Sequence, residues 1–420
     1  MDKILRKIEK LIPKKLYKLG QPFYHYAIAF ASAVYYGFPS KKLKIVGITG
    51  SKGKTTTTEL VASVLRAAGY KVALANGIHF VIGDKEKRNL YKMSMPGRGF
   101  MQKFLSDALK EKCDWVVLEL TSEGSKQFRH KFIDLDAFIF TNIEPEHIES
   151  HGSFEKYKQA KIDLGKSLKN KPHSILITNK NEEHSKDFIK QIEATNKISF
   201  SIEDYRPFKS ESSIELRLKT STIYSRLIGD FNVKNIVATI TFANAIGINE
   251  KMIKEGIENL AIVPGRAEKI ISAENFEVFV DYAHTPESLK ALYSAFPNKS
   301  KVCVLGNTGG GRDTWKRPAM AEIAEQFCDN IILTNEDPYD EDPRKIVDEM
   351  KNAILDKDPE VIMDRRSAIN KALKIASQKE NSVVLITGKG TDPYIMGPNG
   401  TKEVWSDADV VREEFLKLKS

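Results

Sequence analysis

The sequence predicts an α/β protein: a central P-loop-type domain built on a parallel sheet, then a smaller doubly wound, Rossmann-like C-terminal domain. Three observations lead there. β-branched apolar runs alternate with helix-length segments from residue 44 onward, and a Gly- and Lys-rich turn directly follows the first run. A Pro-Gly break at 263–266 is followed by a second series of the same alternation. At 420 residues the chain exceeds what one core covers, and roughly 100–200 residues per domain gives two or three domains. Apolar residues at 41% and charged residues at 29% are ordinary globular proportions, which excludes a disordered, collagenous or polytopic membrane protein.

The first segment, 1–43, is basic and aromatic. Residues 1–20 carry Lys3, Arg6, Lys7, Lys10, Lys14, Lys15 and Lys18 against Asp2 and Glu9, and Phe23 to Tyr36 follows as an apolar stretch. Fourteen residues are fewer than the ~20 that span a bilayer, and no small-residue cleavage site of a signal peptide follows. A helix packed on the main body is expected. The alternative is a peripheral contact through residues 1–38, with a membrane surface or a protein, made by a basic face and an aromatic belt.

The central domain is placed at 44–262. Lys44–Thr49 reads as a strand, GSKGKTTTT opens a helix running to about Gly69, and Val72–Ala75 is the next strand. Trp115–Leu120, Ala137–Thr141 and Ser174–Thr178 are further strands, alternating with helices near 99–112, 154–169 and 182–195; such alternation predicts a mostly parallel sheet. Residues 213–228 alternate with period two and predict an antiparallel hairpin, followed by helices at 232–246 and 249–260. The C-terminal domain is placed at 263–420, with strands at Glu277–Tyr282, Lys301–Gly306, Asn330–Asn335 and Ser382–Thr387 and helices between them.

Cys113, Cys303 and Cys328 are far apart and show no CxxC spacing, so no disulfide framework is expected and a reducing, cytoplasmic setting fits. The net charge of +9 suits anionic small molecules as well as nucleic acid. No helicase-like motif or basic-aromatic ladder supports a nucleic-acid-binding ATPase, and no nucleic-acid partner is expected.

Gly50-Ser51-Lys52-Gly53-Lys54-Thr55-Thr56 carries the strongest chemical signal. A polyphosphate needs inward-pointing backbone N–H groups, a positive helix end, a Lys for the outer phosphates and a hydroxyl for Mg²⁺, and each is present in order. Ile48 stands where a strict phosphate loop has its first Gly. Glu119 ends the strand WVVLEL, where a carboxylate can reach a metal on bound phosphates. His147 and Lys161 follow in TNIEPEHIESHGSFEKYKQAK.

These residues resemble the Mur ligases, most closely the UDP-N-acetylmuramyl-tripeptide synthetase branch. The resemblance runs from about Lys44 to the end, through TGSKGKTTT, LELTS, TNIEPEHIESHGS, YKQAK, GDFNVKN, VPGRAE, DYAHTPESL, RDTWKRPAM, EDPYDEDP, DRRSAI and GKGTDPY. It implies that Lys54 and Thr55 hold ATP and Mg²⁺, that Glu119 and His147 serve the metal sites, and that Lys161 reacts with CO₂ to give a carbamate. It places Asn232 and Asn235 at the adenine and Arg266 and Lys316 near ATP phosphate. Asp281 matches a ribose or interdomain carboxylate, and Thr121, Gln127 and Arg129 match acceptor contacts. The implied activity is an ATP-dependent amide ligase adding an amino acid to a muramoyl-peptide-like carboxylate through an acyl phosphate, with domain closure on substrate.

The chain also departs from the pattern. The family grips the UDP end of its precursor with a further domain, whereas 46 residues precede Gly47; an acceptor without UDP, a lipid-linked one, or a domain supplied by a partner are the readings left open. KMSMPGRGF replaces a Thr-Thr-Pro stretch, and Arg98 within it is a candidate anionic contact. Where the family reads diaminopimelate with an Asp-Asn-Pro-Arg motif, this chain has Glu336-Asp337-Pro338-Tyr339, and a Tyr cannot make the bidentate ionic contact of an Arg. Asp392 keeps an acidic group for an ammonium. The expected amine is therefore not meso-diaminopimelate, with Asp337, Tyr339 and Asp392 on the amino-acid side. A folylpolyglutamate-synthase-like ligase shares the chemistry, and a nucleotide-binding subunit of an amidotransferase or wall complex is the non-catalytic alternative.

Overall fold

The computed structural model describes residues 14–146, 148–205, 208–209, 213–311 and 313–419. Expectations for residues 1–13 and for His147 fall outside them. Two compact units result. One takes in the described residues up to Glu146 with His151–Ser201 and Val237–Gly256; the other takes in Ile202–Ile236 and Ile257–Ser420 with the short stretch before His151.

The first unit is built on eight strands: β1 (Lys44–Thr49), β2 (Val72–Ala75), β3 (His79–Ile82), β4 (Lys85–Arg88), β5 (Trp115–Glu119), β6 (Ala137–Phe140), β7 (Ile175–Asn179) and β8 (Asn196–Phe200). Their spatial order is β4-β3-β2-β5-β1-β6-β7-β8. β2, β5, β1, β6, β7 and β8 run parallel, and β3 and β4 add an antiparallel edge. β1 is central, flanked by β5 and β6, so its apolar residues are covered on both faces, which accounts for a nearly continuous hydrophobic run. Gly47 in β1 is needed for close packing: a Cβ there would collide with the Leu120 and Leu135 side chains.

The helix Lys54–Ala67 lies directly after β1 and is buried along most of its length, from Thr55 to Leu65 apart from Ser63. A second helix, Glu250–Asn259, presses on it. A Cβ at Gly256 would strike the Val64 backbone, and the Ser63 hydroxyl donates to the Gly256 carbonyl at 2.6 Å. This contact fixes the helix that follows the glycine-rich loop.

The second unit contains the three-stranded antiparallel sheet β9 (Phe208–Lys209), β10 (Ile214–Arg217) and β11 (Thr222–Ser225). It also contains a six-stranded sheet of β12 (Glu268–Ser272), β13 (Phe276–Val280), β14 (Ser300–Leu305), β15 (Asn330–Leu333), β16 (Glu360–Val361) and β17 (Ser382–Ile386), in the order β12-β13-β17-β14-β15-β16. Apart from antiparallel β12, these strands are parallel, and apolar clusters fill both faces of the sheet. β18 (Tyr394–Met396) and β19 (Lys402–Val404) form a separate hairpin.

One expectation is corrected. Cys303 and Cys328 are joined by a disulfide, with Cα atoms 6.1 Å apart, and Cys113 is the one free cysteine. Twenty-five residues separate them in sequence, but the intervening helix is a crossover that returns the chain beside its starting strand. Cys303 lies in β14, and Cys328 stands two residues before β15, its parallel neighbour. Sequence separation is a poor guide to distance in a βαβ unit.

The helix Lys14–Tyr35 packs on the first unit, and from Gly20 onward its side chains do so through one side only. Tyr26 and Phe30 meet the Phe132 ring at 5.5 and 5.4 Å, Tyr26 also meets Phe128, and Ala33 is fully buried. No helix among the described residues is long and apolar enough to cross a membrane.

Candidate active site

The loop between β1 and the helix Lys54–Ala67 is held from below by the segment after β6. Ser51 N–H donates to the Asn142 carbonyl at 2.9 Å, and Lys52 N–H to the Asn142 side-chain oxygen at 2.8 Å. The Thr141 hydroxyl donates to the Lys52 carbonyl at 2.8 Å. A Cβ at Gly50 would run into that Thr141 hydroxyl and the Asn142 backbone, so the approach requires glycine. Gly53 ends the loop with φ +79, a left-handed conformation, and starts the helix.

Side chains from four other segments converge on the loop. The Thr55 hydroxyl donates to Glu119 Oε2 at 2.8 Å, the Ser94 hydroxyl donates to Glu119 Oε1 at 2.7 Å, and Gly77 N–H adds a third bond at 3.2 Å. Lys54 Nζ donates to the Gly50 and Ser51 carbonyls at 3.0 and 2.8 Å. Lys52 pairs with Glu146 at 3.2 Å.

Lys161 reaches in from the helix Phe154–Gly165, and its residue is 2% exposed. Its Nζ donates to the Gly50 carbonyl at 2.7 Å and lies 4.6 Å from the Tyr157 ring centre. Burial, reinforced by the charge of Lys54, holds the amine well below the ordinary lysine range. Tyr157 in turn shares a 2.8 Å hydrogen bond with the Ser51 hydroxyl. The sequence reading singled out neither Tyr157, Ser94 nor Asn142. Each sat inside a motif it quoted, but nothing in the one-dimensional pattern shows which hydroxyl or amide turns toward the loop. His151, likewise unremarked, packs edge-on against Tyr157 with Nε2 3.3 Å from Glu123.

The four residues expected at the acceptor are Thr121, Gln127, Arg129 and Arg98. Thr121 caps the helix Ser122–Lys126 by accepting from Gly124 N–H at 3.2 Å. Arg129 donates to the Gln127 side chain and to the Met95 carbonyl, and burial lowers its pKa. Gly97 sits against the Arg129 guanidinium. Arg98 is exposed with φ +57. Gln127, Arg129 and the Met95–Gly97 turn thus form one group.

The second unit carries the rest. Asn235 donates to the Asn232 side chain at 3.0 Å, and Asn232 donates to the Ile228 carbonyl at 2.9 Å, so the two amides form one buried chain of bonds. Arg266 stacks over Tyr282 at 4.6 Å. Asp281, at the end of β13, accepts from Ala267 N–H at 2.5 Å and Ala283 N–H at 2.6 Å; burial raises its pKa against the opposing charge of Arg266. Lys316 pairs with Asp313 at 2.8 Å, both largely buried. Asp337 accepts from Lys389 Nζ and from Met396 N–H, each at 2.8 Å, and Asp392 lies 3.5 Å from the same ammonium. Tyr339 adopts φ +54 and donates its N–H to the Met396 carbonyl at 3.0 Å. Asp337 is thereby committed within the chain, while Asp392 is shared between Lys389 and the neighbourhood of Tyr282, whose hydroxyl its charge pushes upward.

Magnesium prefers hard oxygens, keeps several waters, and takes one or two carboxylates plus phosphate oxygens. Among the described residues no group of three or more His, Cys, Asp or Glu could hold a metal alone. Glu119 and the Thr55 hydroxyl are such a partial oxygen set, one that a phosphate would complete, so the residues present fit the ion.

The chain is similar to known proteins over most of its length. The Mur ligase middle domain matches residues 48–243, and the Mur ligase glutamate ligase domain matches residues 265–390. The UDP-N-acetylmuramoyl-L-alanyl-D-glutamate--2,6-diaminopimelate ligase of Clostridium botulinum is 33% identical over 405 residues, covering 93% of this chain and 81% of the relative. That of Aquifex aeolicus is 32% identical over 397 residues, covering 92% and 80%. A solved structure of a ligase of the same name superposes with TM-score 0.61 at 27% identity, over 90% of this chain and 79% of that one. Mycobacterium tuberculosis folylpolyglutamate synthase superposes with TM-score 0.72 at 15% identity, over 87% and 93%, a likeness of fold.

Proposed function

The chain belongs to the Mur ligase family, and within that family we propose that it joins an amino acid to the carboxylate of a cell-wall-type peptide acceptor at the expense of ATP. The boundary between its two ligase domains is placed at 262/263. The convergence of Lys54, Thr55, Glu119 and Lys161 on one glycine-rich loop carries this reading.

The phosphate loop, Gly50 to Thr56, would hold the triphosphate through its N–H groups, with Lys54 swinging from the Gly50 and Ser51 carbonyls to the outer phosphates. Bound Mg²⁺ would be held by Thr55 and Glu119 and would supply charge neutralisation at the phosphoryl oxygens. The acceptor carboxylate takes the terminal phosphoryl group to become an acyl phosphate, and ADP leaves. The amine then attacks the acyl carbon and loses a proton, and phosphate departs as the amide bond forms. No covalent enzyme intermediate is needed; positioning and electrostatics carry the catalysis.

Lys161 has the chemistry of a carbamate precursor. Its lowered pKa favours the neutral amine, the form that attacks CO₂. A new N–C bond and loss of one proton would turn a group that repels cations into an anionic oxygen ligand. Asn232 and Asn235 would meet the adenine, and Arg266, Asp281 and Lys316 would serve the nucleotide. Arg98, Thr121, Gln127 and Arg129 would contact the acceptor. His147 keeps its proposed metal role. Tyr339 and Asp392 would face the amine, with Asp337 orienting Lys389 beside them, and the amine is one other than diaminopimelate.

Phosphate release, measured over a panel of amino acids with UDP-linked and UDP-free muramoyl peptides, tests this. Release that requires both an acceptor and an amine supports the ligase. Nucleotide binding with no amine-dependent release would mark a nucleotide-binding subunit instead.

A further inference from the structure

We propose that the helix Lys14–Tyr35 seats this protein on an anionic lipid bilayer, lying in the plane of the membrane surface with its outward face among the headgroups. The proposal stands apart from the ligase reading and does not require it.

The helix is used on one side only. Ala33 is buried and Ala29 and Ser32 are half-buried on the inner side, while Tyr26 and Phe30 touch the Phe132 ring from the margin and stay about half exposed. Phe23 and Tyr35 are each 79% exposed, and Tyr24 and Val34 are about half exposed. Phe23, Ala27, Phe30, Ala31 and Val34 follow helical spacing, so the outward residues make one continuous apolar stripe. From Leu19 to Ser40 there is no Asp, Glu, Lys or Arg. A water-facing helix surface without charge, rich in Phe and Tyr, is costly unless something covers it. Amphipathic aromatic rings are suited to the headgroup layer.

The charge around the stripe selects what covers it. Lys14, Lys15 and Lys18 precede it and Lys41 and Lys42 follow it. Residues 1–43 hold nine Lys or Arg against Asp2 and Glu9, a local charge of +7 in a chain whose total is +9. Beside Phe132, the ring on which the helix rests, lies a groove of about 890 Å³ with five lysines in its lining. Three of them, Lys41, Lys131 and Lys169, have no carboxylate partner among the described residues. A second copy of this chain would bring two such positive regions together and be repelled. An anionic bilayer satisfies the apolar stripe and the lysines at once.

The test is co-sedimentation of the full chain with vesicles of phosphatidylcholine, alone or mixed with phosphatidylglycerol. Binding to the mixed vesicles at least ~10-fold tighter than to the neutral ones, and weakened by salt, is expected. The double variant Phe23→Gln/Tyr35→Gln should lose binding at least ~10-fold with its melting temperature unchanged, since both side chains are exposed. Lys131→Glu/Lys169→Glu should weaken only the anionic arm. The proposal falls if the wild-type chain stays in the supernatant with anionic vesicles. It falls equally if the Phe23/Tyr35 variant binds them as well as wild type, or if that variant instead abolishes a lipid-free self-association.

Discussion

Lys161 donates from Nζ to the Gly50 carbonyl at 2.7 Å, fastening a buried amine to the backbone of the glycine-rich loop 111 residues earlier in the chain. A lysine ordinarily keeps its ammonium in water. Here the amine is enclosed beside the positive Lys54, and burial, reinforced by that charge, pushes its pKa well below the ordinary lysine range. An amine so placed has the surroundings that the proposed carbamate requires and is unsuited to a surface ion pair.

Lys161→Ala should therefore lower turnover at least ~100-fold, the scale of losing one preorganised electrostatic group. Short carboxylic acids added to the mutant should restore part of it by occupying the vacated space. Steady-state phosphate release with and without acetate measures this, and undiminished activity in the mutant would remove the carbamate.

His130 gives a stability prediction with a defined sign. Burial pushes its imidazole down to about 3, from an ordinary value of 6.5. Between these values the unfolded chain binds a proton that the folded chain refuses, so stability is lost as pH falls from 6.5 toward 3, by up to ~1.4 kcal/mol per pH unit. Denaturant midpoints of wild type and His130→Gln, compared at pH 7 and pH 5, should show a smaller acid loss in the variant. Parallel losses would contradict it.

Arg365 and Asp407 form a two-pronged pair with both bonds at 2.8 Å, essentially inaccessible to solvent. Trp405 Nε1 also donates to Asp407 at 2.8 Å, and Arg365 donates to the Thr387 carbonyl. Asp407→Ala leaves a buried guanidinium uncompensated and should cost ~3–5 kcal/mol. Urea unfolding checks this; a loss below ~1 kcal/mol would mean that water or another carboxylate replaces the partner.

Tyr339 governs the amine prediction. It stands where diaminopimelate-using relatives are expected to place an arginine, and its ring offers no bidentate donor. Wild type should not use diaminopimelate faster than lysine or other amino acids, while Tyr339→Arg should shift the kcat/KM ratio toward diaminopimelate by ~10-fold or more. A wild-type preference for diaminopimelate would refute it.

Much of this was legible in the sequence because the informative elements are local. β1, the loop and the helix Lys54–Ala67 announce themselves through a β-branched run, two glycines and a lysine, and the parallel strands through their double-sided burial. What escaped was set by tertiary neighbours. β3 (HFVI) is apolar but only four residues long, and β4 (KEKR) is wholly exposed and carries no hydrophobic pattern. β12 is likewise only partly buried along its length and is defined by pairing with β13. The Cys303–Cys328 bond depends on a crossover bringing the chain back, which spacing does not reveal. Within the site, Glu119 was readable as a strand-end carboxylate, whereas nothing in KMSMPGRGF shows that its Ser94 hydroxyl turns toward that carboxylate.

The account rests on the loop Gly50–Thr56 gripping a triphosphate. A crystal structure grown with a non-hydrolysable ATP analogue and Mg²⁺ tests that most directly. The account predicts density for the terminal phosphates against the loop N–H groups, Lys54 Nζ moved off the Gly50 carbonyl onto them, and the ion on Thr55 and Glu119. Analogue bound elsewhere, or absent at saturating concentration with Lys54 still on Gly50 and Ser51, would contradict it.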